Sequence, residues 1–177
     1  MPTSKKIVAI GPESTGKSFL CEALAKRFQT LWVPEFARQY LMNHGKEYQY
    51  DDLLTIAKGQ LALEEGTRPP AGYPLFIDTD MYVMKVWCEY VFGKCHSWVL
   101  QQIVARKYDL YLLCNTDLPW SKDALREYPD FQTRERLFHM YKDCMVNQQI
   151  NWIEISGDQD QRLQTAIAAV NSVVSIS

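Results

Sequence analysis

Gly11-Pro12-Glu13-Ser14-Thr15-Gly16-Lys17-Ser18 matches G-x-x-x-x-G-K-[ST] at every defined position. The stretch sits where the chemistry of such a loop requires it. Lys6 to Ile10, a short β-branched strand, leads into it. Lys17 to Phe28 follows, with Leu20, Leu24 and Phe28 repeating every four residues as on a helix face. Glycines let the backbone curl so that its N–H groups converge on the phosphates of a nucleoside triphosphate. The helix N-terminus adds partial positive charge. Lys17 is placed to reach the transferable phosphate, and Ser18 to offer its hydroxyl to Mg²⁺. Gly11, Glu13, Ser14, Thr15, Gly16, Lys17, Ser18 and Phe19 are therefore the expected phosphate-binding residues, and ATP with Mg²⁺ the implied cofactors.

Outward from this loop, strand-like and helix-like stretches alternate, the pattern of an α/β protein with a parallel sheet and crossover helices. Strands are predicted at 31–33, 75–77 running to Asp78, 110–114 and 152–155, and helices at 35–43, from Asp51 to past Leu61, 81–91, 97–106, 133–148 and 160–174. Arg68-Pro69-Pro70-Ala71-Gly72 is a breaker. Asn115 to Asp130 has two prolines, several charges and no periodicity, and is read as a mobile loop. No internal repeat or long linker divides the chain, so residues 1–177 are expected to form one domain.

Composition limits the function. The 177 residues are 47% hydrophobic and 12% aromatic, which excludes intrinsic disorder. With 19 basic and 21 acidic residues and a net charge of −2, no polybasic nucleic-acid surface is expected. Five cysteines without a C-x-x-C pair suit a reduced compartment. The apolar runs fall short of the ~20 residues that span a bilayer. A cytoplasmic protein without a membrane partner is the expectation, and nothing in the sequence indicates an oligomeric state.

The class of nucleotide chemistry is narrowed by what is missing. Asn115-Thr116-Asp117-Leu118 fails the guanine-reading N-K-x-D pattern, and no G-x-G-x-x-G follows the first strand. A small-molecule kinase fits the length better than a mechanical ATPase. Such a kinase needs a Mg²⁺ shell, a carboxylate at the acceptor hydroxyl and cations that screen developing charge. Asp78 ends an apolar strand, Asp80 lies two residues on, and Glu35 follows the second strand. Parallel strands would aim Glu35 and Asp78 into one crevice. Asp78 and Asp80 would also serve to cap the helix that starts near Met81.

Arg126, Arg134 and Arg136 fall in or just after the irregular segment, where a lid over about 115–136 could close on the triphosphate. Arg38 could pair with Glu35 or reach a substrate. Trp120 has less structural reason for its place than Trp32, Trp98 or Trp152, and could stack on a planar, preferably cationic, ring. The turn Ser156-Gly157-Asp158 is a candidate for adenine contact.

The sequence resembles the ribosylnicotinamide kinase domain of the NadR-type NAD-salvage proteins. The P-loop at 11–18 is generic. More specific are Val33-Pro34-Glu35-Phe36-Ala37-Arg38, Ile56-Ala57-Lys58-Gly59-Gln60, Phe76-Ile77-Asp78-Thr79-Asp80, Tyr108 to Cys114 and Asp117-Leu118-Pro119-Trp120. The likeness continues through Arg134-Glu135-Arg136 into the last helix. It implies ATP-dependent 5′-phosphorylation of nicotinamide riboside, a small-molecule substrate, to nicotinamide mononucleotide. It also implies a P-loop NTPase three-layer sandwich, with a five-stranded parallel sheet, helices on both faces and a lid. Glu35 and Asp78 would flank the acceptor hydroxyl, with Asp78 on the metal and Glu35 near the oxygen. Lys17 and Ser18 would serve phosphate and Mg²⁺. Arg38, Asp80 and Trp120 are further substrate-binding candidates. Relatives often carry an adenylyltransferase and sometimes a helix-turn-helix. No H-x-G-H signature occurs here, so those roles are not expected to transfer. A kinase for another nucleoside or small alcohol, or an ATP-binding switch without transfer, are the alternatives.

Overall fold

The computed structural model describes residues 4–123 and 125–174. Five strands, β1 (Lys6–Ile10), β2 (Trp32–Val33), β3 (Leu75–Asp78), β4 (Leu110–Cys114) and β5 (Trp152–Ile155), form one sheet in the order β2-β3-β1-β4-β5. Every pairing is parallel, with Ala9 opposite Asp78 and Ile10 opposite Leu113. The helices are α1 (Lys17–Phe28), α2 (Phe36–His44), α3 (Tyr50–Gly66), α4 (Met81–Phe92), α5 (Ser97–Ala105), α6 (Phe131–Asn147) and α7 (Gln159–Val174).

Because a strand alternates its side chains between faces, β1 feeds two cores. Ile7 and Ala9 pack with Leu20 and Leu24 of α1 and Ala166 and Val170 of α7. Val8 and Ile10 pack with Val83 and Val86 of α4 and Leu137 and Tyr141 of α6. Helices therefore cover both faces of the sheet, as expected. A third cluster, including Leu53, Ile56, Met84 and Val99, ties α2, α3 and α5 to α4.

Element boundaries differ from the expected ones by a residue or two, and caps set two of the helix starts. Helix α6 starts at Phe131 because the Asp130 carboxylate accepts the Thr133 N–H at 2.7 Å. Helix α3 starts at Tyr50 through a reciprocal capping box between Gln49 and Asp52. Glu35, expected inside α2, is instead its N-cap residue.

Backbone between α5 and α6 is irregular beyond β4, as expected for 115–130, and it is tied down. Tyr128 and Glu127 donate their N–H groups to the Glu13 carboxylate at 2.7 and 2.9 Å. Trp120 Nε1 reaches the same carboxylate at 3.1 Å, and Ser121 N–H donates to Ser14 Oγ at 3.1 Å. The described cysteines are all free. Among the described residues no helix is long and apolar enough to cross a membrane.

Candidate active site

The loop from Gly11 to Ser18 turns back on itself through three left-handed or positive-φ residues, Gly11 at 138°, Ser14 at 58° and Gly16 at 79°. A side chain at Gly11 is barred twice over, since a Cβ there would lie 2.6 Å from the Cys114 carbonyl oxygen. Pro12 C=O accepts from Thr15 Oγ1 and from Lys17 Nζ, both at 2.7 Å. Gly16 caps α1 with no side-chain bond, and the first turn holds no acid. The first amides of α1 are thus left for an anion.

Arg162 supports this loop from behind. Its guanidinium, 4% exposed, donates to the carbonyls of Thr15 (3.0 Å), Asn115 (3.0 Å) and Gly157 (2.7 Å) and pairs with the Asp117 carboxylate. Sequence reading passed over Arg162. The signal was there: it falls in step with Ala166 and Val170, spaced by four on the buried stripe of α7.

In front of the loop lies a cleft of about 290 Å³. All the expected phosphate-binding residues line it, together with Glu35, Arg38 and Arg126. Apart from Glu127, the rest of its wall is apolar and aromatic, with Val83, Trp87, Tyr90, Tyr128 and Tyr141 prominent. Trp87 Nε1 donates to Tyr48 OH at 2.9 Å, and that hydroxyl donates to Glu127 at 3.1 Å, which fixes the indole plane. Neither Trp87 nor the three tyrosines were singled out as site residues from the sequence. Trp87 and Tyr90 lie on the helix expected at 81–91, where the buried Met81, Val83, Met84, Val86 and Cys88 leave no pattern that sets them apart.

Asp78 stands one layer back. It is fully buried, and its Oδ2 accepts the Ser18 hydroxyl at 2.5 Å, while Oδ1 has no hydrogen-bond partner. Thr79 follows at φ 78°, so that Asp78 turns to the loop and Asp80 into the core. Asp80 does not line the cleft. One of its oxygens accepts the Tyr82 and Val83 N–H groups at 2.9 and 3.4 Å, and the other accepts Tyr111 OH at 2.9 Å. The substrate contact expected of Asp80 is thus replaced by helix capping, with both oxygens committed.

Four further expectations are redirected. The Glu13 carboxylate faces the 120–128 segment rather than the phosphate position, because backbone N–H groups satisfy it there. Trp120 spends its N–H on Glu13 and does not line the cleft. Arg134 is buried, with Nη1 3.5 Å from the Leu118 carbonyl, and Arg136 lies over the Tyr90 ring at 5.7 Å. Of the three lid arginines only Arg126 reaches the cleft, and its Nη1 donates to Ser121. Arg38 is held by Asp123 at 2.6 Å. Leu118 and Gln159 border a small pocket with Gly16, Phe19 and Arg162, next to the Ser156-Gly157-Asp158 turn.

The carboxylates are electrostatically unusual. Burial, and then the neighbouring Asp78 charge, push Glu35 up to about 7, with Lys17 and Arg38 pulling the other way. Burial also raises Asp78, opposed by Lys17 and by the Ser18 bond. Glu35 is thereby suited to hold or accept a proton near neutral pH, whereas Asp78 faces a cation and a hydroxyl.

A parallel sheet in this strand order, with a phosphate loop between β1 and α1 and a strand-end aspartate on its serine, defines a P-loop nucleotide-binding protein. The chain belongs to the AAA domain family AAA_28, whose model matches residues 6–162. It is 27% identical over 175 residues to the trifunctional NAD biosynthesis/regulator protein NadR of Escherichia coli, and equally to that of Salmonella typhimurium. The match covers 96% of this chain and 43% of each relative, so the chain spans less than half their length. Among solved structures, a NadR protein in complex with NR superposes with a TM-score of 0.74 at 20% identity, covering 98% of this chain and 52% of that one. A thymidylate kinase from Ehrlichia chaffeensis gives 0.64 at 15% identity, covering 96% and 100%. The resemblance to NadR-type proteins and the P-loop kinase fold expected from the sequence are both borne out.

Proposed function

We propose that the protein is an ATP-dependent kinase that phosphorylates the 5′-hydroxyl of nicotinamide riboside. The observation that carries this reading is the cleft itself, which brings a phosphate loop, the raised carboxyl of Glu35 and an aromatic wall into one space. Structures of the same fold add support, one being a NadR protein in complex with NR and another in complex with NAD and AMP-PNP. A pyridinium ring is cationic and planar, and the cleft wall holds Trp87, Tyr90 and Tyr128, aromatic side chains of the kind that favour such a ring.

In the proposed reaction the acceptor oxygen forms a bond to the γ-phosphorus, and the bond from that phosphorus to the β–γ bridging oxygen breaks. The hydroxyl proton passes to the Glu35 carboxylate. Lys17 and the free amides of α1 bind the phosphates and offset charge on the leaving group. Tyr128 and Trp87 would orient the acceptor, and the 115–130 segment would keep water from the γ-phosphate.

The donor set fits Mg²⁺ carried in with the triphosphate. Asp78 Oδ1 is buried and unpartnered, and Ser18 Oγ lies beside the same carboxylate. Among the described residues no cluster of three or more acidic, histidine or cysteine ligands exists. That suits an ion completed by phosphate and water oxygens. Ser18 and Asp78 would hold it, and it would supply charge neutralisation at the phosphates.

The test is ATP-dependent product formation with nicotinamide riboside, with ordinary ribonucleosides and with no acceptor. Turnover confined to nicotinamide riboside is expected. Product from another nucleoside alone would overturn the acceptor assignment and leave a P-loop kinase of different specificity. ADP release indifferent to every acceptor would leave an ATP-binding switch.

A further inference from the structure

Two helices beside the cleft, α2 and α4, each begin with an acidic N-cap residue two positions after the end of a strand. At α4 the cap spends its carboxylate: both Asp80 oxygens are bonded. At α2 the corresponding residue, Glu35, makes no side-chain capping bond. The first amide of α2, one position before those an N-cap side chain reaches, is satisfied from outside the helix: Phe36 N–H donates to Gln60 Oε1 at 2.7 Å.

Gln60 belongs to α3 and is 1% exposed. Its Nε2 donates to two carbonyls, Pro34 at 3.3 Å and Asp78 at 3.2 Å. One carboxamide therefore joins the end of β2, which leads to Glu35, to the last residue of β3. The sheet does not do this by itself. β2 is two residues long and its register with β3 stops at Val33 opposite Ile77. Beyond that rung, Gln60 is the bridge between the strand ends. The adjacent Gly59 lets α3 come close enough: a Cβ there would lie 2.2 Å from Phe36 Cε1.

We propose that Gln60 is a positioning residue for phosphoryl transfer. It satisfies the first amide of α2 and ties the Pro34 carbonyl, next to Glu35, to the Asp78 carbonyl, which fixes Glu35 relative to Asp78. The inference rests on the kinase reading above. It also gives a role to the Ile56–Gln60 motif, which the phosphate chemistry alone leaves idle.

The test is a double-mutant cycle on kcat. Gln60→Met keeps the shape of the side chain and removes all three hydrogen bonds. If Gln60 acts through Glu35, the substitution should lower kcat about 10- to 100-fold, because misplacement by about 1 Å costs that much. The ATP KM should stay within about threefold, and the loss should shrink to about threefold or less in a Glu35→Gln background. Equal fold losses in both backgrounds, or a Gln60→Met kcat within about twofold of the parent, would overturn the proposal. Should Gln60→Met fail to fold, Gln60→Glu enters the same cycle: it keeps the acceptor for Phe36 N–H and loses both donors. If neither variant folds, Gln60 is purely structural and the proposal fails. A parent protein that turns over no acceptor defeats the kinase reading instead, whereas additive losses in an active parent defeat only the role of Gln60.

Discussion

Glu13 and Tyr128 are joined across 115 residues of chain: the Tyr128 N–H donates to Glu13 Oε1 at 2.7 Å. A residue of the phosphate loop thereby holds a residue of the aromatic wall. With Glu127 N–H and Trp120 Nε1 bonded to the same carboxylate, the loop and the overlying segment form one unit. Removing the carboxylate in Glu13→Ala strands three donors. Acceptor KM is expected to rise about tenfold, from the order of 1.4 kcal/mol of lost positioning. ATP affinity should hold or tighten, because an anionic side chain leaves the triphosphate's neighbourhood. Steady-state kinetics with each substrate varied in turn separates the two.

Asp80 provides a pH prediction for stability. Burial raises its pKa from 3.8 to about 7 in the folded protein, against the Tyr111, Tyr82 and Val83 bonds that lower it. A carboxyl whose folded pKa lies above its unfolded value favours the fold most at low pH. Its contribution declines as pH rises from about 4 to about 7, and then levels off. Asp80→Asn retains the acceptor for the Tyr82 amide and cannot ionise. The stability of the parent relative to Asp80→Asn should therefore fall across pH 4 to 7, by on the order of 4 kcal/mol. Urea denaturation of both proteins at several pH values measures it, and a flat difference would contradict the assignment.

Arg162→Ala should be the costliest single change outside the sheet core. It leaves the carbonyls of Thr15, Asn115 and Gly157 without this donor and the Asp117 carboxylate without its partner. Breaking a buried pair of this kind costs about 3–5 kcal/mol. In a chain this long that corresponds to a Tm lower by about 10 °C. Arg162→Lys should recover only part of the loss, since an ammonium cannot fork between these acceptors. Thermal denaturation, with ATP affinity measured in parallel, tests both statements.

The aromatic wall should read charge. Trp87→Leu removes the π face while keeping an apolar lining, and is expected to reduce the kcat/KM preference for nicotinamide riboside over its uncharged, reduced form. A loss of about 1–2 kcal/mol, or about 5- to 30-fold, is the size of a desolvated cation–π contact. Trp87→Phe should keep most of the preference, although it gives up the bond to Tyr48 OH. Competition between the two acceptors reports the ratio directly.

What could be read from the sequence divides along a physical line. The P-loop, Glu35 and Asp78 were legible because strand ends and a glycine-punctuated loop fix where such residues point. The irregular span at 115–130 was legible as irregular. Its attachment to Glu13 was not, since two of the three donors are backbone N–H groups, which carry no residue signature. Asp80 looked like a functional acid because capping and catalysis use the same residue types, and only the partners of its two oxygens separate the roles. Trp87 and Tyr90 were hidden by α4, where the buried Met81, Val83, Met84, Val86 and Cys88 surround them with residues of the same apolar kind.

The alternation along β1 has a consequence for how the chain tolerates changes in length. Ile7 and Ala9 serve one core, Val8 and Ile10 the other, and the phosphate loop begins at the next residue. Gaining or losing one residue in this strand would exchange the two faces and displace the loop by about 3.3 Å. Anchor and catalyst are written in a single reading frame, which leaves no room for indels there. The exposed turn at Ala71 and Gly72, far along the chain and outside every core cluster, is where an inserted peptide would be accommodated.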